Sequence, residues 1–359
     1  MAASASVLIG GAAGLAQSPA PSVGSDPALP RSNVSELITF VPPTATSVAF
    51  TDWGRIKAST GAEDVTGASP IDDKTRVLMS TNMNETAASG FGVARFLNQR
   101  DTWGWDTLDL DWEATMGVDG PPVFVLRFRD GFDLAPVAAR FDEREFTNET
   151  VPGGVIRSHE MDISNDWMTS SEFGILNTAF LDDGRTLVLS SGLDGVRDVA
   201  TNHGSFTSLP GLDATAAALD GASAAVLLPD PGACVGFAPL PVDPGDPLAS
   251  PDLSMPTAGL HPYAAMGVGY ARPDWDPIGR IVFSYLDDET AAADLAGRRT
   301  LAETGDSQIV KGPIADAMFT VADAHVDGAD LELDVSPVDG RPRRLMNMIY
   351  ARDMVFAGC

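Results

Sequence analysis

Lysine is almost missing from this chain of 359 residues, with Lys57, Lys74 and Lys311 its only three. Lysine and arginine together number 23 against 50 aspartates and glutamates, which sets the formal net charge at -27. Such a chain has no basic stripe to neutralise phosphates, which argues against nucleic acid and anionic membranes as partners. Beyond the first residues, no apolar run reaches the roughly 18 residues a membrane-spanning helix needs, so an integral membrane protein is not expected. Cysteine is as scarce, at positions 234 and 359 alone, and the four histidines, His159, His203, His261 and His325, stand singly.

Familiar catalytic signatures are absent too. The sequence has no G-x-S-x-G elbow, no H-E-x-x-H, no paired C-x-x-C and no phosphate-binding loop of the Walker type. Its nearest approach to a dinucleotide loop, Gly90-Phe91-Gly92-Val93-Ala94-Arg95, lacks the third glycine and falls in an expected helix over 84–99. No catalytic residue, cofactor or metal ligand is assigned.

What is present describes a folded protein. With 44% apolar and 20% charged residues, the chain sits near the globular average and is long enough for one large or two ordinary domains. Arginine and aspartate dominate the charges, while alanine, glycine and proline are abundant. A GC-rich genome gives that bias without a functional cause. Salt adaptation gives a similar surface, because dense carboxylates stay hydrated in salt and repel one another without it.

The first 18 residues read as the remnant of a signal peptide. A short apolar run around Val7, Leu8 and Ile9 ends in Gly14-Leu15-Ala16, which suits small-residue cleavage. A basic leading region is missing, so either the start lies upstream or the segment is a disordered tail. Residues 19–37 are rich in proline, serine and alanine and read as a tether. In an oxidising compartment Cys234 and Cys359 would form one disulfide; the alternative is two inert buried thiols. A bridge would close a loop of about 125 residues, worth on the order of 4–5 kcal/mol in chain entropy.

Strands are expected at 46–52, 122–129, 155–159, 175–180, 186–190, 224–228, 264–270, 280–285, 317–321, 330–335 and 354–359, with helices at 53–59, 133–142, 193–200, 212–219, 288–304 and 343–350. Asp133 is placed as the cap of one helix, and Asp287 or Asp288 of another. The fold class is α+β, with mainly antiparallel sheets and helices covering one side. A Pro-rich stretch, 239–256, divides a lobe over 38–238 from one over 257–359. A weak likeness of 123–142 to 280–298 suggests two similar lobes.

Three places invite chemistry. Asp109, Asp111 and Glu113 alternate, and in a strand they would share one face, able to hold Ca²⁺ or act as an acid/base pair; a solvated strand face is the plainer reading, and Asp330, Glu332 and Asp334 repeat the pattern. Trp103, Trp105 and Trp112 lie beside the first set, as a sugar platform or as packing. Asp323, His325, Asp327 and Asp330 surround a glycine like a calcium loop, but an imidazole stands where oxygen is wanted, and a hairpin turn explains them as well.

Phe40-Val-Pro42, the run Thr51-Asp52-Trp53-Gly-Arg-Ile56, residues 105–113 (WDTLDLDWE) and the ending Val355-Phe-Ala-Gly-Cys359 resemble uncharacterised exported proteins of actinobacteria. A mid-chain and a terminal cysteine recur in that group, so the resemblance implies the Cys234–Cys359 bridge. It brings no activity, cofactor or site residue. The expected function is an exported or cell-envelope binding or interaction module with an unidentified ligand or protein partner. A metal-assisted or two-carboxylate hydrolase and a structural calcium protein are the alternatives.

Overall fold

A computed structural model describes residues 34–80, 99–162, 174–229, 259–271, 275–276, 278–307, 310–350 and 353–359. The leader, most of the tether, the helix expected over 84–99, Cys234 and the Pro-rich 239–256 lie outside the described residues.

In its first half the chain forms α1 (Val34–Leu37), β1 (Ser47–Asp52), α2 (Trp53–Ser59), α3 (Ile71–Ser80), α4 (Gln99–Trp103), β2 (Leu110–Gly117), β3 (Val123–Phe128), α5 (Ala135–Asp142), β4 (Thr147–Val151), β5 (Gly154–Ser158), β6 (Asn177–Leu181), β7 (Thr186–Ser190), α6 (Leu193–Asn202) and α7 (Leu212–Ala218). There follow β8 (Ala224–Pro229), β9 (Ala265–Tyr270), β10 (Gly279–Ser284), α8 (Asp288–Thr304), β11 (Asp306–Ser307), β12 (Gly312–Pro313), α9 (Ile314–Ala317), β13 (Phe319–Asp327), β14 (Asp330–Pro337) and α10 (Arg343–Tyr350). The architecture is α+β.

Twelve of the strands make one sheet in the order β13-β14-β10-β9-β8-β1-β2-β3-β7-β6-β5-β4, antiparallel at every step. Its centre is the β1–β8 pair, with Val48 opposite Leu227 and Phe50 opposite Ala225. One order of elements occurs on both sides of that centre. The meander β1-β2-β3 leads to α5 and to hairpins whose last strand, β7, returns to pair with β3; the meander β8-β9-β10 leads to α8 and to a hairpin whose last strand, β14, returns to β10.

Side chains alternate across a strand, so a strand apolar at every position needs cover on both faces. β7 and β9 are buried throughout. On β3, Val123 and Val125 join one core, with Val196 and Val199 of α6 and Leu212 and Ala216 of α7. Leu126 and Phe128 join another, with Trp53, Val77, Trp103 and Phe141 from α2, α3, α4 and α5. A third core packs Ile281, Phe283, Leu331 and Leu333 against α8, α9 and α10. Helices therefore cover both faces of the sheet, which corrects the expectation of one covered side.

Local signals placed some boundaries well. The Asp287 carboxylate accepts the Thr290 N–H at 2.7 Å and caps α8. Asp133 accepts the Ala135 N–H at 2.9 Å, yet the residue preceding α5 is Leu134, so Asp133 is not its cap. The strand expected at 354–359 is a 3-10 turn over Val355–Ala357, because its carbonyls turn inward to a buried arginine rather than to a ladder. The strand expected at 317–321 begins only at Phe319, after α9.

Candidate functional site

The acidic stretch at 106–113 folds inward. Asp106 caps a 3-10 turn over Thr107–Asp109, and the Asp109 carboxylate answers its backbone N–H at 3.2 Å, completing a capping box. Asp109 is fully buried. One of its oxygens accepts the Gly67 N–H at 3.0 Å and the other pairs with Arg100 Nη1 at 3.0 Å. A Cβ at residue 67 would lie 2.1 Å from Asp109 Oδ2, so only glycine lets this loop reach the carboxylate. Lys74 pairs with Asp106 at 2.8 Å, and Lys57 donates to the Leu108 carbonyl at 3.0 Å.

Strand β2 starts only at Leu110, and its register on β3 shifts between Leu110 and Trp112. The even alternation over 107–113 is thereby broken. Asp111 lies half-buried beside Arg185 at 3.5 Å, while Glu113 is buried at the sheet centre opposite Thr51. The three carboxylates do not share an open face. The tryptophans are core residues: Trp103 and Trp105 pack on one side of the sheet and Trp112 on the other.

A cleft of about 200 Å³ opens among the described residues. Its lining includes Pro42 ahead of β1, Val118 and Asp119 of the β2–β3 turn, Val123 at the start of β3, and Asp194 and Asp198 of α6.

A more varied cluster occupies the β13–β14 hairpin. Asp327 pairs with Asp330 across a tight turn whose Gly328 has φ of 60°. This is the hairpin form rather than a calcium loop. Register sets His325 opposite Glu332 and Asp323 opposite Asp334, while Arg280 on β10 lies opposite Asp334 from the other side. Leu331, Leu333 and Val335 point to the core, so the acidic side chains occupy the other face. Arg280 holds Glu332 at 3.0 Å and Asp334 Oδ1 at 2.9 Å. His325 Nε2 faces Glu332 at 3.6 Å and Nδ1 faces Asp323 at 3.7 Å. One ligand atom each from Asp323, His325 and Asp334 falls within 4.8 Å of the others. Glu332 is buried, not the solvated residue that alternation predicts.

Burial pushes the carboxyls of Asp109, Asp111, Asp330 and Glu332 above the ordinary carboxylate range. A carboxyl raised in this way binds its proton more readily in the folded than in the unfolded state. Its stabilising effect is complete below the unfolded pKa of about 4 and is lost as pH rises through the folded value. Relief of self-repulsion by protonation acts in the same sense. We therefore expect the melting temperature to rise as pH is lowered from neutrality toward about 4, where the unfolded carboxyls titrate. A calorimetric series with a steady fall over that interval would contradict this.

The remaining histidines serve packing. His203 stacks on Phe40 at 5.7 Å, and His159 lies 5.1 Å from the Phe146 ring. His261 Nδ1 meets Asp294 at 2.7 Å within a network that sequence reading missed. At its centre is Arg298, fully buried on α8. Its guanidinium donates to Tyr285 Oη at 3.0 Å and to the carbonyls of His261 and Phe356 at 2.8 Å each, and it faces Asp294 at 3.5 Å. Cys359 Sγ lies 3.4 Å from Arg298 Nη2 and 3.1 Å from the His261 carbonyl oxygen. The one available signal was weak: an arginine four residues after an aspartate, normally a surface pair.

No protein family matches the chain, and no curated protein matches it. Among solved structures, crystal form IV of TP0453 is similar with a TM-score of 0.41 at 9% identity, over 89% of this chain and 99% of that one. Crystal form I of TP0453 gives 0.38 at 10% identity, over 88% and 97%. Likeness at that level carries no argument. The class rests on the architecture itself, an α+β protein built on one large antiparallel sheet. Among the described residues, no helix is long and apolar enough to cross a membrane.

Proposed function

We propose that the protein is an exported, cell-envelope binding or interaction module that performs no hydrolysis at its acidic stretch. The observation that carries this reading is the fate of Asp109. A catalytic carboxylate must reach substrate in a concave site. Asp109 instead lies fully buried, bonded to the Gly67 and Asp106 N–H groups and paired with Arg100. Asp111 is turned to Arg185, Glu113 is buried at the centre of the sheet, and the neighbouring tryptophans pack in cores.

The test is a thermal melt of the oxidised protein against glycans and small metabolites, run beside turnover assays with chromogenic esters, glycosides and phosphates. A shift of several degrees with one ligand and no turnover is the expected result. Turnover that disappears in a folded Asp109→Asn variant would overturn the proposal in favour of a hydrolase.

Export is supported by the signal-like start, the tether and the resemblance, and we extend the proposal to a Cys234–Cys359 bridge. Cys359 lies against Arg298 and the His261 carbonyl, half-buried on the core that holds Phe356, where a cross-link would fix this segment in place. Reduction is expected to lower stability by about 4 kcal/mol on chain-entropy grounds. Mass spectrometry after alkylation of the unfolded, unreduced protein should show no modified cysteine. Two alkylated thiols would refute the bridge.

A further inference from the structure

The face of the β13–β14 hairpin combines features that the proposed function does not use. From the geometry we infer that Asp323, His325 and Asp334 form a binding site for a divalent transition cation of the Zn²⁺ type, independent of where the protein resides.

The ligand set comes first. Two carboxylates and one imidazole neutralise a dication and suit a borderline metal, while leaving a fourth position for water. Ca²⁺ wants six to eight oxygens, and an imidazole in the set disfavours it.

His325 Nδ1 makes the second point. It is shielded from solvent and has no hydrogen-bond partner among the described residues, although Asp323 stands only 3.7 Å away. A cation between the two satisfies both. The other ring nitrogen, Nε2, faces Glu332, which is 6% exposed and held by Arg280. At 3.6 Å the pair is not hydrogen-bonded; a closer approach on metal binding would let Glu332 accept from Nε2 and orient the imidazole. Arg280 takes Oδ1 of Asp334 and leaves Oδ2 for the metal.

Distance is the third. Ligand atoms about 2.1 Å from a tetrahedral metal are about 3.4 Å apart, and those of the three residues now lie within 4.8 Å. Side-chain rotation closes the difference. Asp323 is 67% exposed on the edge strand β13, so it can rotate, and it opens the site to incoming metal.

The full chain is titrated with Zn²⁺ by calorimetry and with Co²⁺ by visible absorption. One equivalent is expected to bind, giving Co²⁺ bands of a low-coordinate site. His325→Ala and Asp334→Asn should weaken binding at least 100-fold, and Glu332→Gln by about 10–100-fold as an orienting residue. His159→Ala should leave binding unchanged, and a tenfold excess of Ca²⁺ should not displace Co²⁺. The inference fails if the folded wild-type chain binds neither metal, if His325→Ala binds as tightly as wild type, or if Ca²⁺ displaces Co²⁺. Circular dichroism of each variant separates loss of the site from loss of the fold.

Discussion

Arg298→Leu is expected to destabilise the protein by about 3–5 kcal/mol, the cost of leaving one partner of a buried ion pair without the other. The arginine is fully buried, yet every part of its guanidinium is engaged. It pairs with Asp294, donates to Tyr285 Oη, and ties the carbonyls of His261, Phe356 and Gly358 to α8. Its cationic plane also lies 5.2 Å from the Tyr263 ring centroid and 4.9 Å from that of Phe283. Leucine restores some apolar volume but leaves the buried Asp294 carboxylate without its arginine, held only by the His261 backbone N–H, the His261 ring and the Tyr285 hydroxyl. Arg298→Lys keeps the charge and loses the planar fork that reaches several acceptors at once, so it should recover only part of the loss. Urea unfolding monitored by fluorescence measures both. A Leu variant within 1 kcal/mol of wild type would mean the network is no tighter than a surface pair.

Trp103→Ala is expected to cost a similar amount, about 3–5 kcal/mol, through lost burial and the cavity left behind. Trp103 is fully buried where α4 meets α5. Its ring lies 4.9 Å from Phe141 and 6.1 Å from Phe146, with the Arg144 guanidinium 4.7 Å from its centroid. A sugar platform would present its face to solvent, and its removal would weaken ligand binding with little effect on stability. Packing predicts the reverse. Denaturant unfolding of the alanine variant, with Trp103→Phe as a partial replacement, discriminates between them; stability unchanged in both would contradict the packing role.

Much of the element list was legible because it rests on local rules. The alternation in Val123–Phe128, the apolar run Thr186–Ser190 and the Asp287 cap of α8 each stay within a few residues. Some of what was missed was also local but weak in signal. β4 reads TNETV and is exposed along nearly its whole length, so it has no apolar alternation to reveal it. The last six residues looked like a strand because they are mostly apolar, yet Phe356 and Gly358 offer their carbonyls to Arg298, far away in sequence.

The candidate sites divide in the same way. By itself the sequence determined the acidity, the α+β class and the pool of residues from which any site must be drawn, since composition and short-range periodicity need no partner strand. Only the tertiary structure decided which carboxylates meet water. It folded Asp109 under Gly67 and Arg100, and it set His325 opposite Glu332 and Asp323 opposite Asp334. The two acidic patterns, 109–113 and 330–334, look alike along the chain, but one passes through a register shift into the protein, while the other lies on the face of the hairpin away from the core, with Glu332 buried beside Arg280 and Asp323 and His325 reaching water. Register and burial are set by pairing with distant strands, and side-chain spacing along one strand carries no record of its neighbour.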